Sequence, residues 1–318
     1  MSHNTTPEVS SSFNIAKIFS ILSVILAHSR INDDSYYSAI AERIGCLGVV
    51  TFFFISGFFF NISKYGTGKF FKKKITSVII PWAFLGSITF VISDHPKNFI
   101  SWFNWVIGNG TYLYYLTVLM FSYGVFAFFN KKIFAYVFIF LNIISLFITS
   151  QGYLQYINLH EINNYLNPFN WIGFFSLGYI IKDKFTDVLH FLNKYAIYVL
   201  ITYVIFLLFS VRLEDEYGYF SKFALVNEVM GMLLIFSIST FKFFNRVNFL
   251  RIADFTFTIY LTHFLVFPLR RFLIQNYWSQ FLNPIIYMLA CLLLIWIGRE
   301  VAKRINLLKL YNTLLGIR

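Results

Sequence analysis

Apolar residues along this chain fall in long runs, separated by short polar stretches that carry most of the charge. A helix needs about 17–25 mainly apolar residues to cross hydrocarbon. Ten such runs occur, at 13–30, 47–63, 75–93, 110–129, 132–150, 168–182, 190–211, 222–241, 254–274 and 282–300. The fourth opens on a Gly/Asn run and the sixth is short. The pattern predicts an all-α polytopic membrane protein with about ten transmembrane helices. Residues 1–12, polar and Ser/Thr-rich, read as a disordered cytoplasmic N-terminus, 13–304 as the transmembrane domain and 305–318 as a cytoplasmic tail. The longest connection, 151–167, has room for an interfacial turn but not for a soluble module, so any chemistry must lie within the bundle. No internal repeat of the inverted-transporter kind is visible.

Charge sets the orientation. Only 13% of the residues are charged, against about 25% in soluble domains, yet the net charge is +12. In a soluble protein that excess would suggest nucleic acid. Here the cations gather in alternate loops, the topology signal of membrane proteins. Lys64, Lys69 and Lys72–Lys74 lie between spans two and three, Lys131 and Lys132 between four and five, and Lys242, Arg246 and Arg251 between eight and nine. The intervening loops carry Asp33, Asp34 and Glu42, then Asp94, Glu161, and Glu214–Glu216. This places both termini in the cytoplasm of a multi-pass protein of the cytoplasmic (inner) membrane, with lipid as a partner and nucleic acid excluded. Arg270 and Arg271, at the outer end of span nine, break the rule. The first run lacks a basic leader and a small-residue cleavage site, and reads as a retained helix.

Within the first span, FNIAKIFSILSVILAHSR, Lys17 and His28 are eleven residues apart. On a helix that is about 16 Å of rise and nearly the same azimuth. Asn14 falls near the same stripe. Ionisable groups inside a bilayer usually face a bundle interior or a cavity, whereas Lys17 alone could snorkel to the interface. Span two, FFFISGFFF, sets the small pair Ser56-Gly57 in a wall of phenylalanine, which suits close helix approach. Span three begins KKKITSVIIPW, and its Lys72, Lys73 and Lys74 suit anionic headgroups or the phosphates of a nucleotide-bearing co-substrate. In span nine Thr256, His263 and Arg270 recur every seven residues, and Tyr260 lies one turn before His263. Glu228 is the carboxylate well inside a span, and a carboxylate beside His28 would fix its tautomer and raise its basicity. His95, His160 and His190 read as solvated. Cys46 and Cys291 lack metal-ligand spacing, and no metal site is expected.

Taken in order, the Lys17–His28 motif, FFFISGFFF, the lysines running into Pro81, YLYYLTVLM (112–120) and IYLTHFLVF (259–267) resemble the membrane-bound acyltransferase-3 family. These are integral-membrane acyltransferases that modify surface polysaccharides and related glycans. The resemblance implies transfer of an acyl group, acetyl above all, from cytoplasmic acetyl-CoA to a hydroxyl of a surface or lipid-linked glycan. His28 would be general base or transient acyl carrier, assisted by His263 and Glu228. Lys17, also a catalytic candidate, and Lys72–Lys74 would hold the donor's phosphates or polarise its thioester, and Arg270 and Tyr260 would line the acceptor path. The family usually has arginine where this chain has Lys17, and often two arginines where it has Lys74 and Ser77. Lysine keeps the charge without the bidentate geometry. A polysaccharide-lipid flippase or other transporter is the competing reading. A glycan polymerase would carry long outer loops that are lacking here.

Overall fold

The computed structural model describes residues 7–31, 35–152, 163–214, 216–245 and 250–317. Expectations that fall on Asp33, Asp34, Asp215, His160, Glu161 and Arg246 therefore lie outside the described residues. Among those described the chain is helical, with no strand. The helices are α1 (Pro7–Ser29), α2 (Tyr36–Gly45), α3 (Leu47–Phe58), α4 (Ile62–Tyr65), α5 (Thr67–Lys74), α6 (Ile80–Ile92), α7 (Phe99–Ile107), α8 (Tyr114–Phe128) and α9 (Lys132–Ser150). After them come α10 (Ile172–Ile181), α11 (Phe185–Lys194), α12 (Ala196–Leu213), α13 (Ala224–Ser239), α14 (Lys242–Asn245), α15 (Leu250–Asp254), α16 (Thr256–Val266), α17 (Ser279–Arg304) and α18 (Leu308–Leu315).

Among the described residues, six helical stretches are long and apolar enough to cross a membrane: Pro7–Ser29, Tyr36–Phe58, Thr67–Ile92, Lys132–Ser150, Ala196–Leu213 and Ser279–Arg304. The helices at the other four expected spans, α8, α10, α13 and α16, are shorter. Irregular backbone at membrane depth is tolerated where protein buries it or where it lines a cavity, and these helices are mostly buried. The break before α8 has a local cause. Gly108 holds φ +87°, and a Cβ there would come 1.9 Å from the Tyr114 nitrogen. The expected span 110–129 thus starts its helix only at Tyr114. Span nine ends early too: α16 stops at Val266 and a 3₁₀ turn, Phe267–Phe272, follows around Pro268.

The bundle is built around α1, which packs against α2, α3, α13, α16 and α17. Most of its apolar residues are buried (Phe13, Ile15, Ile21, Val24, Ile25), as expected of a helix at the centre of a bundle. By contrast α9 and α12 leave long apolar faces open, including Tyr136, Phe140, Phe147, Ile201, Ile205 and Phe209. Helices α3 and α10 approach through reciprocal glycines. A Cβ on Gly57 would lie 1.9 Å from the Phe175 carbonyl, and one on Gly178 2.0 Å from the Phe54 carbonyl. Gly57 in FFFISGFFF is therefore a packing residue.

Two expectations need correcting, and the tail gains detail. Residues 7–12, expected to be disordered, form the first turns of α1, with Val9 and Ser12 buried. The tail 305–318 contains α18, which packs on α6 and α17. It is pinned there by the Thr258 hydroxyl donating to the Leu315 carbonyl at 2.8 Å and Tyr311 donating to the Ile295 carbonyl at 2.7 Å. The stretch before span two, read as a polar loop, is α2, capped by the Ser35 hydroxyl accepting from the Ser38 N–H at 3.2 Å.

Candidate functional site

Two cavities open along the face of α1 that carries Lys17 and His28. The first, about 430 Å³, is lined by Lys17, Ser56, Ser77, Tyr115, Asp254 and Tyr260 among others. The second, about 400 Å³, is lined by His28, Arg30, Glu42, Tyr112, Tyr165 and Tyr260 among others. Both volumes lie in the range of small-molecule sites. Tyr260 belongs to both linings. The eleven-residue spacing therefore puts one charged group and one imidazole into separate chambers that share a wall.

That wall is rigid. Tyr260 donates its hydroxyl to the Tyr112 carbonyl, and Tyr112 donates its own to the Leu261 carbonyl at 3.0 Å, tying α16 to the turn before α8. The Tyr115 ring lies 5.4 Å from that of Tyr260. With its hydroxyl so engaged, Tyr260 separates and shapes the two chambers.

In the Lys17 cavity, the ammonium of Lys17 donates to Asn14 Oδ1 at 3.4 Å and lies 5.9 Å from the Phe59 ring centroid. Asn14 is thus the neighbour that the stripe predicted. The lysine run divides. Lys72 and Lys73 are exposed, the latter over the Tyr65 ring. Lys74 is half-buried and donates to the hydroxyl of Tyr123, a lining residue, at 2.9 Å. A π-helical turn, Ile75–Ile79, follows at once; such turns recur at functional sites. It directs Ser77 into the cavity, where the hydroxyl is buried without a partner among the described residues. Ser56 also lines this cavity, and so does Gly316 from the tail. The pair Ser56-Gly57 therefore has two jobs: one residue faces the cavity, the other packs.

In the other chamber, His28 presents its ring to open space, 5.5 Å from the ring of His263 and 5.0 Å from that of Phe264. His263 is fully buried and its Nδ1 is 2.6 Å from the Tyr260 carbonyl. A carbonyl only accepts, so Nδ1 carries the proton and Nε2 keeps its lone pair. That Nε2 has no hydrogen-bond partner among the described residues. A buried acceptor left unmatched beside a second imidazole suits holding a proton or a water there.

Two expected members stand elsewhere. Glu228 is buried in α13 and lines neither cavity. No hydrogen bond joins it to His28 among the described residues, and its Oε2 is buried without a partner there. Arg270 is exposed, as is Arg271, and lines neither cavity. The seven-residue stripe holds from Thr256 to His263 and is lost where the 3₁₀ turn changes the winding after Val266. His95 and His190 are exposed, as expected. No cluster of metal-ligating side chains occurs among the described residues.

Arg43 was missed. It is fully buried in α2, paired with Glu214, and donates to the Ser221 hydroxyl at 2.6 Å. Its carbonyl accepts from Asn227 at 2.9 Å. With the Arg30–Glu42 pair at 3.1 Å, it braces the His28 chamber from behind. Lone charges in a loop-like stretch gave no sign that their partners lay far along the chain.

Residues 10–299 match the sequence model of the acyltransferase-3 family, described as an acyltransferase domain. The chain belongs to the acyltransferase-3 family. Comparison with curated proteins and with solved structures returned no match. Family membership makes the protein a membrane acyltransferase in general terms, and the two chambers lie wholly within the matched residues except for Gly316.

Proposed function

We propose that this acyltransferase moves an acyl group, acetyl in the first instance, from cytoplasmic acyl-CoA to a hydroxyl of a surface or lipid-linked glycan. The observation that carries the reading is the pair of chambers meeting at Tyr260, one holding Lys17 and the other His28. In this reading ten spans place both termini inside, and the Lys17 chamber opens to the cytoplasm. The loop charges support that orientation.

The Lys17 chamber has the size and chemistry for an acyl-pantetheine arm. Lys17 and the Lys74–Tyr123 pair offer charge and hydroxyl groups at its wall, and the orphaned Ser77 hydroxyl offers a donor for an amide or thioester oxygen. The diphosphate end of the donor would stay at the mouth, near the exposed Lys72 and Lys73. The thioester would extend past Tyr260 towards His28. There the acceptor oxygen bonds to the carbonyl carbon, the carbon–sulfur bond breaks, and His28 takes the hydroxyl proton and delivers it to the departing thiolate. A two-step route, in which His28 first carries the acyl group, needs the same arrangement. His263 acts on His28 as a positioning residue, its Nε2 offering the acceptor that would order the second imidazole directly or through water. Glu228 and Arg270 are left out of this reaction centre.

A flippase needs a continuous path for a whole lipid-linked sugar. A pinned Tyr260 between two small chambers favours passage of a thin arm instead. The test is the acyl content of the glycan. Mass spectrometry of surface glycan from deletion and complemented cells should show a base-labile acyl mass lost and restored. It should stay lost with His28→Ala. Unchanged acyl content in the deletion strain, with undecorated glycan retained inside the cell, would favour transport.

A further inference from the structure

We infer that a third cavity, adjoining the His28 chamber, is a binding subsite for a neutral or amino sugar of the acceptor, and that it discriminates against anionic sugars. The inference rests on the transfer reading and specifies its acceptor. The cavity, about 360 Å³, is lined chiefly by Glu42, Tyr165, Glu216, Tyr217, Tyr219 and Phe220. It shares Glu42, Tyr165, Gly218 and Tyr219 with the His28 chamber. A saccharide seated here would therefore place a neighbouring unit of its chain before the imidazole.

The lining matches the two kinds of surface a sugar ring presents. Its C–H faces are apolar and rest on aromatic rings; its hydroxyl edges donate to carboxylates. Tyr165 supplies the platform. Its ring is 39% exposed, backed by Tyr114 at 4.9 Å and Phe220 at 5.0 Å. Its backbone is fixed by Trp171 Nε1 donating to the Tyr165 carbonyl at 2.9 Å. Tyr219 is buried beside Trp171, with ring centroids 5.1 Å apart. Rings already held in place lose little freedom when a ligand arrives.

Charge supplies the selectivity. Among the described residues, the acidic and basic side chains that line this cavity and the His28 chamber are Arg30, Glu42 and Glu216. Arg30 is already paired with Glu42 at 3.1 Å, and Arg43 behind them is held by Glu214 and Ser221. Glu216 is exposed at the cavity edge and makes no ion pair among the described residues. A carboxylated sugar would meet Glu216 with no uncommitted cation in the lining to balance it. A hydroxyl or an ammonium meets a ready acceptor.

The test is saturation-transfer NMR on the full chain in lipid nanodiscs, with methyl β-glucoside, methyl β-glucosaminide and methyl β-glucuronide as probes. The first two should bind in the millimolar range and the glucuronide about tenfold more weakly or not at all. Tyr165→Ala should weaken both favoured probes about tenfold, while Tyr165→Phe, which keeps the ring, should bind like the wild type. Glu216→Lys should admit the glucuronide and disfavour the glucosaminide. Wild-type protein that binds the glucuronide as well as the glucoside, or no sugar at all, would overturn the inference. So would binding that survives Tyr165→Ala and Glu216→Lys unchanged. Thiol release from acetyl-CoA, followed on the same preparations with extracted glycan as acceptor, separates the two readings. Charge-selective binding without thiol release would leave the subsite and remove the transfer chemistry. Thiol release without charge selectivity would remove the subsite alone.

Discussion

The two chambers on either side of Tyr260 are close in volume and opposite in character. The Lys17 chamber is built from regular helices and from side chains that offer one cation, several hydroxyls and the Asp254 carboxylate, with the π turn at Ile75–Ile79 and the folded-back tail completing it. The His28 chamber draws part of its wall from irregular backbone, the Gly108–Thr111 turn, Tyr165 and the Gly218–Tyr219 turn, and the rest from helices, Val24, His28 and Tyr260 among their residues. The first has the fixed geometry that suits an invariant co-substrate. The second draws on loops, which vary more readily than the elements they connect, as suits an acceptor that must be distinguished from other sugars. In the proposed reading a donor site and an acceptor site ask different things of a fold, and the two chambers would meet those needs with different material.

The largest effect expected from breaking one chamber alone is that of His28→Ala. Loss of a positioned proton acceptor typically removes roughly 10²–10⁴-fold of rate. Thiol release at saturating acetyl-CoA should fall by that factor while donor KM stays within about twofold. A changed donor KM with a preserved rate would move His28 to the donor side.

Next comes the brace behind the His28 chamber. Arg43→Met leaves Glu214 buried without its partner, and breaking such a pair costs about 3–5 kcal/mol. The variant should show a lowered Tm in detergent and reduced accumulation, and Arg43→Met/Glu214→Leu should recover much of the loss. Equal stability of Arg43→Met and wild type would mean that the pair is not buried as described.

The donor chamber should respond in KM. Lys17→Gln and Lys74→Gln each remove a charge at its wall, and each should raise acetyl-CoA KM about tenfold with little change in kcat. Lys72→Gln and Lys73→Gln, at exposed positions, should change it less than threefold. Steady-state kinetics with the four single variants separates the lining lysine and its neighbours from the solvated pair.

The smallest effects belong to Arg270→Ala and Arg271→Ala. Both side chains are exposed on the 3₁₀ turn and outside either chamber. Each should alter acceptor and donor KM by less than about twofold. A large acceptor effect confined to Arg270 would restore it to the acceptor path.

What was legible in the sequence follows the same division. The legible part rests on local spacing: Lys17 to His28 on one helix, and Lys72–Lys74 running into Pro81. Periodicity reports such features directly. Tyr260 and His263 were found by the same means, one turn apart on α16. The acceptor side rests on contacts far apart in sequence. Arg43 meets Glu214 across 171 positions, and Tyr165 meets Phe220 across a loop and three helices. Nothing local announces either pairing. Glu228 was drawn towards His28 because both fell at a similar depth, but depth does not fix azimuth, and Glu228 lines neither chamber. Arg270 was drawn onto the His263 face by a seven-residue repeat that Pro268 interrupts. Amphipathic α11 and α18 escaped a scan for long apolar runs because each buries only a few residues: Phe185, Leu189 and Leu192 in one, Leu315 in the other.

The central claim is that donor and acceptor enter from opposite faces and meet at Tyr260. Single cysteines placed by Ser77→Cys and Thr111→Cys, in a Cys46→Ser/Cys291→Ser background that retains activity, test it directly. Right-side-out and inverted membrane vesicles would be treated with an impermeant maleimide, with and without acetyl-CoA. The account predicts labelling of Ser77→Cys only in inverted vesicles, blocked by acetyl-CoA, and of Thr111→Cys only in right-side-out vesicles, unaffected by it. Labelling of both positions from the same face, or acetyl-CoA protection of Thr111→Cys alone, would contradict it.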